Sequence, residues 1–296
     1  MAQQKHTRKN ASLEGTIIVL FCLIDDAYAA INPRAGSYES IKRLSDSEVL
    51  TLALLQQLRG VESERSFLRD AQRFFYHLFP GVIGLHPSSF HRRVRRLRRF
   101  LEPLRRAVLA ELVGEPETLI VDSTLLSVLH PRQVKQSAGF HGAAWVRWGS
   151  FAVYGVKLHL LCATNRVPLS YELTAANVAD VLLVRELVTG AGLGEGEVAR
   201  RLFGDLAYRG GELGEELAGR GVMLATEKAD RRPALRQRVE VCFAALKGVF
   251  GMDGTLAKTL TGLVARIAAK VTAYTYGLYV NRLLGRPQGR IKELWA

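Results

Sequence analysis

The chain has 296 residues, of which 48% are hydrophobic, so it can bury a large core as one big domain or two smaller ones. Its net charge of +13 and pI near 10.0 favour a polyanionic partner, DNA or RNA being the usual one, with a ribosome-associated or simply basic protein as the plainer alternative. Cys22, Cys162 and Cys242 are scattered with no close pair, which excludes a zinc ribbon, argues against a disulfide framework and fits a reducing cytoplasm.

Residues 1–112 read as helical. Basic Lys5, Arg8 and Lys9 precede an apolar run from Ile17 to Ile24, an outline faintly like a signal peptide. Asp25-Asp26 stands where small residues would mark cleavage, so the run is expected to be a buried helix. Ser45-Asp46-Ser47-Glu48 is a capping box, opening a helix that Gly60 ends. A second helix is expected through Phe67, Leu68, Ala71 and Phe74-Phe75, broken by Pro80-Gly81. A third begins at Pro87-Ser88-Ser89 with a serine cap. Its apolar stripe is Phe90, Val94, Leu97, Leu101 and Leu104, and its other faces carry Arg92, Arg93, Arg95, Arg96, Arg98 and Arg99. Short helix, turn and arginine-rich helix resemble a helix-turn-helix, with Arg92, Arg93 and Arg96 as DNA contacts. A solvated basic helix is the plainer alternative.

Gly114 to Glu117 reads as a linker, and the texture then changes. Leu119-Ile120-Val121 predicts a strand ending at Asp122. Tyr154–Thr164 and Val167–Leu173 predict a hairpin turned at Asn165-Arg166. A helix over Asp180–Val188, a strand Leu202-Phe203-Gly204 ending at Asp205, a helix over Gly210–Gly219 and a strand Val222–Ala225 follow, with helices to the end. This order predicts a mixed α/β sheet with helices on its faces. No apolar stretch reaches the ~20 residues of a membrane span, and the longest, Val271 to Val280, is preceded by Arg266 and Lys270. No membrane partner is expected.

Three acids in this second half invite a chemical reading. Asp122 and Asp205 each follow an apolar strand, where ligand crevices of α/β sheets lie, though turn aspartates are common there too. Arg236, Glu240 and Lys247 fall on one face of a predicted helix. Glu240 turned inward would join the aspartates as an oxygen-donor set for two divalent ions working on a phosphodiester. Glu240 turned outward would be an ordinary surface partner of Arg236, worth ~0.3–0.5 kcal/mol. Lys157 and His159 share one face of their strand; Lys157 is a candidate phosphate contact and His159 a structural hydrogen-bonder. Lys228, Arg231 and Arg232 follow the last strand and are candidates for a DNA path, with a solvated charge cluster as the competing view. Lys135, Arg147, Trp145 and Trp148 lie in a loop-like stretch that suits contact with unpaired bases, though tryptophan is also simply core. Tyr208 is open between base stacking and core packing.

Taken together, Val121-Asp122-Ser123-Thr124, Tyr154-Gly155-Val156-Lys157-Leu158-His159, Gly204-Asp205-Leu206-Ala207-Tyr208 and Arg236-x3-Glu240-x6-Lys247 resemble DDE transposases of bacterial insertion sequences. The front segment Arg43 to Val49 resembles their start. The resemblance implies a ribonuclease-H-like catalytic domain over 117–296, preceded by an all-α DNA-binding domain over 1–112. It makes Asp122, Asp205 and Glu240 the catalytic and metal-binding set, for two Mg²⁺ ions or Mn²⁺. It gives Arg236 and Lys247 the transposon-end contacts. Pro233 stands where many relatives have tyrosine, and Leu206 where a lysine often follows the second aspartate. Only 35 positions separate Asp205 from Glu240, so no large domain is inserted between them. The expected activity is cut-and-paste transposition in the cytoplasm, near the nucleoid. Hydrolysis occurs at the element end, then the freed 3′-hydroxyl attacks target DNA. Terminal inverted repeats and target duplex are the expected partners, and a homodimer is expected on DNA. A structure-selective nuclease of the same fold and an inactive DNA-binding remnant remain open alternatives.

Overall fold

The structure, a computed structural model, describes residues 12–33, 42–136, 139–192, 200–226 and 232–294. They form two compact units. The first comprises residues 1–112, 248–256 and 265–296, and the second residues 113–247 and 257–264.

The first unit opens with α1 (Leu13–Ile31), whose apolar run buries Ile17, Leu20 and Ile24. The helix expected from that run is present. Next comes α2 (Asp46–Leu58), and the capping box is formed: the Glu48 N–H donates to Ser45 Oγ at 3.0 Å and the Ser45 N–H donates to Glu48 Oε2 at 2.6 Å. Then come α3 (Glu64–Phe74), α4 (Pro87–Leu97) and α5 (Leu101–Val113). Two details differ from the sequence reading. His86, not a serine, caps α4 by accepting from the Ser88 N–H, with Pro87 in the first turn. The arginine-rich stretch is also not one helix, because a 3-10 turn over Arg98–Phe100 separates α4 from α5.

The second unit is built on a mixed sheet. Its strands are β1 (Thr118–Leu129), β2 (Ala144–Trp148), β3 (Phe151–Ala163), β4 (Pro168–Ala175), β5 (Arg200–Gly204) and β6 (Val222–Thr226). β3 pairs antiparallel with β1 along one edge and with β2 and then β4 along the other. β1, β5 and β6 run parallel. Leu119, Ile120 and Val121 are all buried, the continuous apolar run of a strand covered on both faces. On one face Leu119, Val121 and Leu161 pack with Val184 and Leu187 of α6 (Val184–Gly190) and Leu213 and Leu217 of α7 (Gly211–Gly219). On the other lies α8 (Pro233–Gly248), burying Val239, Cys242, Phe243 and Leu246. β1 is longer than expected: Asp122 lies within it, because Asp122 to Leu129 continue the ladder with β3. The segment read as loop-like around Trp145 is the strand β2.

The last helix, α9 (Leu260–Leu283), gives its first turn to the second unit and the rest to the first. The sequence reading placed residues 265–296 in the catalytic segment, whereas they pack with the helical one. Thr272 and Tyr276 donate to the carbonyls of Leu101 and Leu104, each at 3.2 Å. Buried Lys270 donates to Glu62 Oε1 at 2.6 Å and to the Phe250 carbonyl, giving a desolvated ammonium the paired acceptors it needs. Among the described residues, no helix is long and apolar enough to cross a membrane.

Candidate active site

Parallel pairing matches Leu119 with Leu202 and Ile120 with Phe203. Two residues further along each strand stand Asp122 and Asp205, so the sheet carries both acids to the same level. They line one pocket with Ile120, Phe203, Arg236 and Val239. Arg232, Leu235, Arg236 and Val239 recur at helical spacing, so a single face of α8 and its lead-in closes the pocket.

The local backbone fixes both carboxylates. Asp122 Oδ1 accepts from the Ser123 N–H at 2.8 Å. Asp205 Oδ1 accepts from the Ala207 N–H at 2.8 Å and caps a 3-10 turn over Leu206–Tyr208. Tyr208 is buried in the core, not presented for stacking, and its ring lies against Gly204. Burial pushes the Asp122 carboxyl up to about 6, and the like charges of Asp205 and Asp180 add to this; the Ser123 N–H and Arg236 pull the other way. Burial likewise drives the Tyr208 hydroxyl far above its usual range, and the carboxylates of Asp122, Asp180 and Asp205 reinforce it.

Glu240 is not inside the pocket. Its side chain is 53% exposed, and Oε1 accepts from Arg236 Nε at 2.8 Å. Among the described residues, no three acidic, histidine or cysteine side chains stand close enough to hold a metal ion. Yet all three acids act on one guanidinium. Arg236 is held charged first by its hydrogen bond to Glu240, then by the fields of Asp122, Glu240 and Asp205. Asp122 and Asp205 thus line one pocket, and the field of each reaches the guanidinium that Glu240 holds.

The other expected contacts divide. Arg92 and Arg96 are exposed. Arg93 donates to the Leu44 carbonyl at 2.7 Å and to Asp46 Oδ1 at 2.5 Å, inside the helical unit. Lys157 donates to the Val178 carbonyl at 2.7 Å and to Asp180 Oδ1 at 2.8 Å. Lys247 donates to the Leu125 carbonyl at 3.1 Å and so ties α8 to β1. Lys228 and Arg231 lie outside the described residues.

Asp180 is the residue the sequence reading missed. It lies beside Asp122, accepting from Lys157 and, at 3.1 Å, from the Ser123 hydroxyl. His159 Nδ1 is 3.6 Å from the same oxygen, and its Nε2 pairs with the Thr174 hydroxyl at 2.9 Å. Burial pushes His159 down to about 4, so the imidazole is neutral and structural. The signal was present: a lysine and a histidine alternating on a buried sheet face require an acid.

The family described as transposase DDE domain matches residues 114–276, more than half the chain, and the chain belongs to that family. No curated protein matches it. Among solved structures, a cryo-EM structure of the piggyBac transposase synaptic complex with hairpin DNA is similar at a TM-score of 0.48 and 11% identity, over 94% of this chain and 78% of that chain.

Proposed function

We propose that this chain is the DDE transposase of a bacterial insertion sequence, with a ribonuclease-H-like catalytic unit that cleaves element ends and joins them to target DNA. The observation that carries the reading is that Asp122 and Asp205, each two residues beyond a paired position of parallel β1 and β5, line one pocket with Arg236, whose guanidinium Glu240 also holds. Asp122, Asp205 and Glu240 would hold two Mg²⁺ or Mn²⁺ ions, which when bound supply activation of the attacking oxygen and stabilisation of the leaving one. The chain's own part is placement. Strand ends and the Ser123 and Ala207 amides fix the two aspartates. Arg236 is the phosphate clamp, and its transfer from Glu240 to DNA frees that carboxylate to turn in. The helical unit, through Arg92 and Arg96, recognises the terminal inverted repeats of duplex DNA. Joining two ends calls for a homodimer on DNA, and such work belongs in the cytoplasm, at the nucleoid.

The test is cleavage of end-containing duplex with Mg²⁺ or Mn²⁺. Asp122→Ala, Asp205→Ala and Glu240→Ala should each lower the rate by at least about a thousandfold. Full activity in any one of them removes that residue from the set. A pre-cut end that is never joined to target would instead favour the nuclease reading.

A further inference from the structure

The hairpin formed by β2 and β3 runs past the rest of the sheet. β1 pairs with β3 only from Tyr154 onward and β4 only from Val156. The rungs Val146↔Val153, Arg147↔Ala152 and Trp148↔Phe151 therefore have no third strand among the described pairings. This extension is a two-stranded ribbon that turns at Gly149, which has a φ of 60°. Such a ribbon is marginal without support. Yet Phe151 at its tip is 73% exposed, the most exposed of the large apolar side chains among the described residues, and Trp145 is 46% exposed. Arg147 is exposed on the face it shares with Trp145, opposite to that of Phe151, and Arg132 and Lys135 are exposed in the 3-10 turn that packs against β3. From Ser123 to Tyr171 the chain has no aspartate or glutamate.

We infer that this ribbon is a second DNA-binding element, one that enters the major groove of a duplex while the carboxylate pocket addresses the backbone. The inference rests on the transposase reading above. Three observations converge on duplex DNA. A two-stranded ribbon has the width the major groove admits. A cationic segment that carries no acid of its own complements phosphate. Arg147 on one face of the ribbon supplies the donors that read guanine or phosphate, and Phe151 at the tip, on the other face, supplies the apolar contact that thymine methyls offer. A second copy of the chain pairing along the free edge of β2 is the competing occupant, and it would bury the same aromatics.

The experiment uses the full chain and a mixed-sequence duplex several helical turns long, with affinity measured across a salt series. Arg147→Ala should weaken binding about fivefold and flatten the slope of log affinity against log salt by about 0.9. Phe151→Ala should weaken it with the slope unchanged. Replacing Phe151 by p-benzoylphenylalanine should capture DNA on irradiation. Wild-type binding with both alanine variants unaltered, or a crosslink to protein alone, overturns the inference and leaves the catalytic reading standing. A wild-type chain that binds no duplex overturns both.

Discussion

Burial holds the Asp122 carboxyl near 6, above its ordinary value of 3.8, with Asp205 and Asp180 adding to the upward shift. The sign of the consequence follows. Between those two pH values the folded chain binds more protons than the unfolded one, so its stability falls as pH rises through the window. Above pH 6 the ionised group costs the metal-free fold about 3 kcal/mol. An asparagine at this position would keep an oxygen for the Ser123 N–H and shed the charge. Asp122→Asn should therefore unfold later in urea at pH 8 with chelator present, by up to about 3 kcal/mol, and lose that advantage towards pH 4. It should also be inactive in cleavage. A variant no more stable than wild type at pH 8 would show that the carboxylate is solvated or already neutralised.

At the scale of elements, the position of Asp205 depends on how β5 ends. Gly204 closes the strand, Asp205 caps the turn, and the Tyr208 ring returns onto Gly204. A Cβ at position 204 would lie 2.8 Å from Tyr208 Cδ2 and 3.0 Å from Cγ. Tyr208 is 1% exposed and packed among Leu213 and Leu217, so the ring cannot swing away without moving the turn. Gly204→Ala should lose about 1–3 kcal/mol in urea melts and lower cleavage beyond what the stability loss explains, since Asp205 moves with the turn. Unchanged activity in a destabilised variant would show that the turn and the carboxylate are independent. The sequence made much of this legible. Apolar triplets before Asp122 and Asp205 located both strands, and the capping box located α2. It did not show that β1 continues past Asp122, because polar Ser123 and Thr124 gain their place from pairing with β3, a partner distant in the chain. It did not show β2 either, since that strand's described apolar side chains stay partly in solvent and give no core-facing alternation. Helical spacing placed Arg236, Glu240 and Lys247 on one face, but spacing is silent on which way a long side chain turns. Glu240 found the cation one turn back, Arg93 pairs with Asp46 and Lys157 with Asp180.

At the scale of the whole molecule, the second unit is an insertion in the first: the chain leaves the helical unit after Leu112 and returns to it through 248–256 and again from Ala265. A sequence-based boundary at residue 117 separates α9 from what it packs on. Ile267, Val271, Tyr274 and Tyr276 are buried, and Lys270 relies on Glu62 for its counter-charge. Expressed alone, residues 117–296 would present that apolar face and an unpaired lysine to water, an exposed patch of the kind that drives association. Residues 113–264, which end as the second unit ends, keep the full sheet with α6, α7 and α8. The expected outcome is that the shorter fragment is soluble, monomeric in gel filtration and unfolds cooperatively, while the longer one aggregates or shows a helical signal that melts without a transition. Lys270→Met should ease the longer fragment only in part, because it removes the charge and leaves the apolar face bare. If the longer fragment behaved as well as the shorter, α9 would be a stable helix by itself. The helical unit would then need no strand of chain from beyond the catalytic one.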